Sequence, residues 1–320
     1  MKKALITGIT GQDGSYLSEL LLEKGYEVHG IVKKESFEKK EKLKNILSFK
    51  KKIFLHVGNL INRSDVESIF SKVLPNECYH LSASSFVNYT LNNEYQTMNY
   101  NFNSTYNLLS AISEIKKNCK FYLAGSSEMF GDPVETPQNE KTSINPKSVY
   151  GISKVASYYL LKNFREKENI FACAGLAYNH ESPRRGDQFV TKKIVSSAVK
   201  IKLGLQKKLY LGNLDVKRDW GYAPDFVKAM WKILQLDFLW DFVISSSKLH
   251  SVRDFLDITF SLLGLNYKDY VEVDQKLYRA SEKKYLCGNS DKIKKILNWK
   301  NSKSLKEIIE EMIIFEKTKI

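Results

Sequence analysis

Two groups of residues in the 320-residue chain have the types and spacing to act on a hydroxyl group. Ser126-Ser127-Glu128 ends one apolar run, and Tyr150-x-x-x-Lys154 lies in a proline-free segment further on. If residues 148–161 form a helix, a spacing of four puts the phenol and the ammonium on one face, one turn apart. A phenol with its ordinary pKa of about 10 is a weak base at neutral pH. An ammonium one turn away, joined by the positive charge of an oxidised nicotinamide, favours the phenolate and suits Tyr150 to general-base work. The Ser126 hydroxyl could hold a substrate alcohol in line, and Glu128 adds a carboxylate two residues away.

The elements that must position these groups follow from the apolar pattern. Residues 120–125 (KFYLAG) read as a buried strand, so the two serines and Glu128 emerge at its carboxyl edge, where open α/β sheets bind ligands. The chain itself opens on a strand over 3–7, followed by Gly8-Ile9-Thr10-Gly11-Gln12-Asp13-Gly14 and a helix whose Leu17, Leu20, Leu21 and Leu22 make an apolar face. Glycines at 8, 11 and 14 permit a tight turn, close approach of backbone to a pyrophosphate and tight helix-to-strand packing. A second strand over 27–32 ends at Lys33-Lys34, with Glu35 only afterwards. An acidic residue first in that place would bond a ribose 2′-hydroxyl; two lysines favour the 2′-phosphate, hence NADP over NAD.

Strands over 53–57, 77–81 and 170–176 alternate with helices over 63–73 and 98–116, which predicts a Rossmann-type doubly wound parallel sheet. Gly58-Asn59-Leu60 and Leu81-Ser82-Ala83-Ser84-Ser85 follow strand ends and should lie over the adenine and the nicotinamide-side ribose. The strand over 170–176 delivers Asn179-His180-Glu181-Ser182-Pro183-Arg184-Arg185-Gly186, whose two arginines are placed for phosphates. Later come Arg218-Asp219-Trp220-Gly221, a helix over 223–235, a strand over 242–246, helices beginning near Ser251 and Ser304, and a polar loop with Arg279 and Glu282. The expected division is a dinucleotide-binding domain over 1–176 and 215–246, with an interleaved smaller C-terminal lobe over 177–214 and 247–320. The substrate should sit in the cleft between them.

Composition bounds the alternatives. The chain is 43% hydrophobic with a formal charge of +14. The lysines are spread over many segments, with one dense cluster over 39–52 read as a solvated loop and helix, so neither a nucleic acid nor a membrane is the expected partner. A basic cleft also suits a diphosphate-bearing small molecule. Cys78, Cys119, Cys173 and Cys287 are scattered without CxxC spacing, as expected of reduced thiols in the cytoplasm, and the histidines have no metal-ligand spacing. No metal, signal peptide or membrane span is expected.

Taken together, GITGQDGSYL, SSEMFG, SVYGISK, NHESPRRG and RDWG resemble the extended short-chain dehydrogenase/reductases, and within them the GDP-mannose 4,6-dehydratases. The resemblance runs from residue 2 to near the C-terminus. It implies a catalytic set of Ser126, Glu128, Tyr150 and Lys154. The implied cofactor contacts are Gly8 to Asp13, Asn59, Leu60, Leu81 to Ser85, His180 and Arg185, beside Gly14, Lys33, Lys34 and Lys154 expected from the residues themselves. The expected substrate contacts are Ser85, Glu128, Asn179, Lys193, Arg218, Arg279 and Glu282. Where the family usually has Thr this chain has Ser126, and where it usually has Asp this chain has Asn59; the loop after Lys34 and the C-terminal region are shorter. The activity implied is internal redox dehydration of a GDP-sugar by a homo-oligomer (dimer or tetramer) with NADP. GDP-mannose is the first substrate and a GDP-manno-heptose the second. A sugar-nucleotide epimerase or reductase needs Ser126, Tyr150 and Lys154 without the carboxylate, so Glu128 discriminates against it; the intact set as a whole argues against a non-catalytic RNA-binding protein.

Overall fold

The computed structural model describes residues 1–84, 91–278 and 285–319. The strands are β1 (Lys3–Thr7), β2 (Glu27–Val32), β3 (Phe54–Val57), β4 (Glu77–His80), β5 (Lys120–Ser126), β6 (Ala172–Ala177), β7 (Asn179–Glu181), β8 (Leu209–Leu211), β9 (Lys217–Tyr222), β10 (Phe242–Ile244), β11 (Leu249–Ser251), β12 (Val271–Val273) and β13 (Tyr285–Leu286). The α-helices are α1 (Gln12–Glu23), α2 (Lys34–Glu38), α3 (Lys40–Leu43), α4 (Arg63–Val73), α5 (Leu91–Ile115), α6 (Val149–Glu168), α7 (Val190–Lys202), α8 (Ala223–Leu234), α9 (Val252–Leu262), α10 (Asp291–Leu297) and α11 (Leu305–Lys317).

Seven strands form one parallel sheet in the order β10-β6-β5-β4-β1-β2-β3. The chain builds outward from β1 through β2 and β3, then crosses back to place β4 on β1's other side. The loops after β1 and β4 therefore part at a topological switch point, where such sheets bind ligands. Leu17 and Leu21 of α1 pack with Phe226, Met230 and Ile233 of α8 on one face of the sheet. Ile69 and Phe70 of α4, Leu108 and Ile112 of α5 and Leu161 of α6 cover the other.

A four-stranded sheet joins β11, β9 and β13, with β7 also on β9, and a two-stranded sheet joins β8 and β12. Strand β9 falls within the stretch assigned above to the dinucleotide-binding domain, yet its partners are these short strands. A separate apolar cluster links α7, α9 and α11 through Ile194, Phe255, Phe260, Ile309 and Met312. Helices α9 and α11 begin at Ser251 and Ser304, each closed by a capping box with Asp254 or Glu307. Helix α5 starts earlier than its apolar pattern indicates, because its buried face there is polar: Thr97, Asn101, Ser104 and Thr105 are all buried.

Candidate active site

The candidate catalytic face is built by β5 and α6. Ser126 ends β5 and caps the following 3-10 turn, its hydroxyl accepting from the Glu128 N–H at 3.2 Å. The Tyr150 phenol lies near the same hydroxyl, which favours its phenolate. Ser148 starts α6 by accepting from the Gly151 N–H at 3.1 Å, which sets Tyr150 and Lys154 one turn apart as their spacing predicts. Lys154 is 4% exposed and donates from Nζ to the Ala124 carbonyl at 2.8 Å, tying α6 to β5 beside Ser126.

The sequence-based expectation pairs the Lys154 ammonium with the charge of an oxidised nicotinamide in favouring the phenolate. Burial pushes Tyr150 up to about 12, against the Ser126 hydroxyl that favours the phenolate, and the nearby Glu128 charge pushes the same way as burial. Lys154, itself buried, is pushed down to about 8, and its ammonium lies 5.9 Å from the Tyr150 ring centre. Lys154 therefore does not by itself bring Tyr150 into the range of a base, because the apolar surroundings that hold both groups penalise both charges. A further positive charge over the phenol is needed.

The glycine loop has the geometry of a phosphate cradle. Gly8 takes φ +73°, and a Cβ on Gly14 would stand 2.2 Å from the Gly8 carbonyl oxygen, so the turn requires both glycines. Gly11 caps α1 with no side chain, leaving first-turn N–H groups aimed outward. A cavity of about 530 Å³ opens beside it, walled by Gly8 and Thr10, by Lys33 and Ser36 after β2, by Leu60 after β3, and by Ser82, Ala83 and Ser84 after β4. A larger one of about 680 Å³ lies at the sheet edge over Trp240 and Lys292, away from Ser126, Glu128, Tyr150 and Lys154.

Some assigned residues do other work. Ile9 is fully buried beneath the loop. Asp13 and His180 hold each other, Oδ2 to Nε2 at 2.9 Å, while His180 Nδ1 donates to the Tyr178 carbonyl at 2.7 Å. Burial opposes both charges, but the pairing prevails: Asp13 is held below the usual carboxylate range and His180 above its ordinary value. Gln12 bonds the His180 carbonyl and accepts from Ser182. Arg184, read above with Arg185 as a phosphate ligand, instead makes two hydrogen bonds to Glu19, at 2.7 and 2.9 Å, and covers the Tyr16 ring. Arg185 lies over Phe189, its Nε 3.1 Å from the buried Glu181 carboxylate.

At the outer rim Lys33 reaches over the Tyr100 ring at 4.4 Å, whereas Lys34 opens α2 and is not part of the cavity wall. Asn59 is exposed, its N–H held by Asp65 at 2.8 Å, and it too lies off that wall. Leu81 is half-buried, its N–H bonded to the Thr7 carbonyl. Asn179 opens β7 beside Trp220 of β9; Lys193 donates to the Tyr210 carbonyl at 2.7 Å; Arg218 follows on β9 and donates to the Lys217 carbonyl. Ser85, Arg279 and Glu282 lie outside the described residues. Sequence reasoning missed Tyr100 and Asn101 of α5, which hold the loop after β4 through Ser82 Oγ at 2.7 Å and the Ser84 N–H at 2.8 Å. The signal was the polar run Asn99 to Asn107, too polar for an ordinary buried helix face.

The chain is similar to known proteins in sequence and in fold. The family model described as GDP-mannose 4,6 dehydratase matches residues 5–312. GDP-mannose 4,6 dehydratase 2 of Arabidopsis thaliana is 42% identical over 321 residues, covering 98% of this chain and 86% of that one. The fold is similar to a dTDP-glucose 4,6-dehydratase from Bacillus anthracis in complex with NAD, with TM-score 0.85, 17% identity, and 99% of this chain and 97% of that chain covered. It is also similar to RMD from Pseudomonas aeruginosa complexed with NADPH, with TM-score 0.82, 19% identity and coverage of 100% and 99%. The two solved structures speak for the fold, the sequence relative and the family model for descent. This chain belongs to the GDP-mannose 4,6 dehydratase family.

Proposed function

We propose that the chain converts GDP-mannose to the GDP-4-keto-6-deoxy sugar and water, with NADP in the glycine-loop cavity. The observation that carries this reading is the convergence of three groups: the Tyr150 phenol, with the Ser126 hydroxyl and the Glu128 charge both close enough to act on it. The uncapped start of α1 and the cradle at Gly8 and Gly14 fit a dinucleotide diphosphate. When bound, a nicotinamide supplies a reversible hydride acceptor and a positive charge, so the sugar can be oxidised at C4 and reduced at C6 with no net redox change.

The chain's own residues handle the protons. Tyr150 accepts the proton of the C4 hydroxyl, which Ser126 holds in line. A ketone at C4 makes the C5 proton acidic, and Glu128 takes it. The C6 hydroxyl then leaves with that proton as water, and a proton from solvent restores C5. Lys33, the lysine in the cavity wall, is the residue we assign to the NADP 2′-phosphate. Asn179, Lys193 and Arg218, with Arg279 and Glu282, are assigned to the sugar nucleotide. Four buried, unpaired cysteines suit a reducing cytoplasm, and the exposed Tyr106, Ile152 and Tyr159 on α5 and α6 support a homo-oligomer. Among the described residues no helix is long and apolar enough to cross a membrane.

The test is purified protein with NADP and GDP-mannose, read by mass spectrometry. Loss of one water, deuterium moving from C4 to C6, and C5 labelled from heavy water are expected. A product of unchanged mass would mean epimerisation, and a Glu128→Gln variant of near-native rate would remove Glu128 from the mechanism.

A further inference from the structure

Tyr100 stands in the wall of the glycine-loop cavity, and its ring is fixed at both ends. At its base it is half-buried on α5 and packs against the apolar cluster that covers one face of the sheet. At its tip the hydroxyl shares a hydrogen bond of 2.7 Å with Ser82 Oγ, and the Ser82 N–H donates to Thr7 Oγ1 at 3.2 Å, where the glycine loop begins. Burial holds the phenol above its ordinary value, so the ring is uncharged at neutral pH and presents a neutral π-face.

Lys33 reaches this ring from another element. The sheet order β4-β1-β2 leaves one strand between the ends of β2 and β4, and the Lys33 stem spans that gap to bring Nζ 4.4 Å from the ring centre, within the range of a cation–π contact. Both residues line the same cavity, with Gly8 and Thr10 of the glycine loop and Leu60 after β3. A lysine ammonium is a point charge on a flexible stem, and holding it in one place costs up to about 2 kcal/mol of rotamer freedom. A ring that already holds it offsets part of that cost before any anion arrives. Lys34, of equal charge, opens α2 and lies off the cavity wall.

We infer that Tyr100 is a specificity-determining residue for the cofactor. Its ring is the platform that holds the Lys33 ammonium in the cavity wall for the 2′-phosphate that distinguishes NADP from NAD, while its hydroxyl sets the loop after β4 for both cofactors alike. The inference rests on the cofactor reading above. It goes beyond it by assigning part of the selectivity to a neutral ring on α5, an element that carries none of the cations.

The experiment is isothermal titration of the native protein and its variants with NADP and with NAD at low salt. Tyr100→Leu removes the ring, and the ratio of NADP to NAD affinity is expected to fall about threefold, the size of an exposed cation–π contact. Tyr100→Met takes its place if that variant does not fold. Tyr100→Phe keeps the ring and loses the Ser82 bond, so both affinities should fall together, by about fivefold, at the native ratio. With Lys33→Met already present, Tyr100→Leu should not change the ratio further, whereas a general loosening of α5 would act with or without the ammonium. A native ratio in Tyr100→Leu, a ratio lost equally in Tyr100→Phe, or a fall that persists without Lys33 would each overturn the platform and leave the assignment of Lys33 to the 2′-phosphate standing. Unchanged affinities in Tyr100→Phe would overturn the role of the hydroxyl. A native protein that binds the two cofactors equally overturns both the platform and the assignment of Lys33.

Discussion

The two ends of the candidate site are built on opposite plans. At the proposed catalytic end, polar side chains are buried or half-buried and partnered: Lys154 on the Ala124 carbonyl, Asp13 on His180, Arg184 on Glu19, Ser126 on the Glu128 N–H. At the outer rim Lys33, Lys34 and Asn59 are exposed, and α2 contains no buried residue. Buried polar groups must be satisfied by geometry, so a change at the first end propagates; a rim side chain contributes only its charge and reach. Substitutions should therefore fall in size from one end to the other.

The largest effect is expected at Tyr150. Tyr150→Phe removes the proton acceptor and leaves the ring's packing, so turnover should fall about a thousandfold, within the range of general-base contributions, while NADP binding persists. Turnover within a factor of about ten of native would move the base elsewhere.

Next comes Lys154. Its pKa is lowered from an unfolded value near 10.5 to about 8 by burial. Between these values the unfolded chain binds a proton that the folded one does not, so stability rises with pH from about 8 to 10.5 and is level below about 8, where both states are protonated. Lys154→Met removes the term. The difference in unfolding free energy between native protein and variant should change by about 3 kcal/mol from pH 8 to pH 10.5, measured by denaturant titration at each pH. A flat difference would show that Lys154 is not depressed. Activity should be lost in the variant at every pH, which separates the stability cost of the buried amine from its use.

Asp13→Asn tests the join between the glycine loop and β7. Removing the carboxylate leaves His180 without its counter-charge; both side chains are partly exposed, at 23% and 11%, so the cost should be nearer 1–3 kcal/mol than the larger value for a fully buried pair. His180 is raised in the folded protein, so its stabilisation is complete below its unfolded value and is lost as pH rises through the folded one. That slope on the alkaline side should vanish in the variant, and its persistence would assign it to another group.

The same contrast explains what could be read from sequence. Gly8, Gly11 and Gly14, the strand–loop–helix order, the Tyr150 and Lys154 spacing and the seven-stranded parallel sheet are set by backbone geometry that few other residues permit. The fate of individual cations was not legible. Arg184 and Arg185 are neighbours of one type, yet one finds Glu19, far away in sequence, and the other lies against Glu181 and Phe189. Nor could the sequence show that burial would raise Tyr150 and depress Lys154 together, since desolvation depends on what covers a side chain.

The smallest effect is expected at the rim, and it is the sharpest test of the contrast. Lys33 is exposed, lies over Tyr100 and forms part of the cavity wall, while Lys34, its neighbour of equal charge, does not. If a 2′-phosphate is recognised here by charge at short range, Lys33→Glu should lower NADP affinity about tenfold, relative to NAD, and Lys34→Glu by no more than about twofold, with thermal stability unchanged in both. The cost is small because a surface charge contacts one phosphate through water and salt, unlike the buried pairs at the other end. Isothermal titration with both cofactors at two salt concentrations decides it: the Lys33→Glu discrimination should shrink as salt rises. Equal effects of the two substitutions would mean that net charge along the rim, rather than one placed ammonium, selects the cofactor. A loss of stability at Lys33 comparable to that at Asp13 would erase the distinction between the two ends.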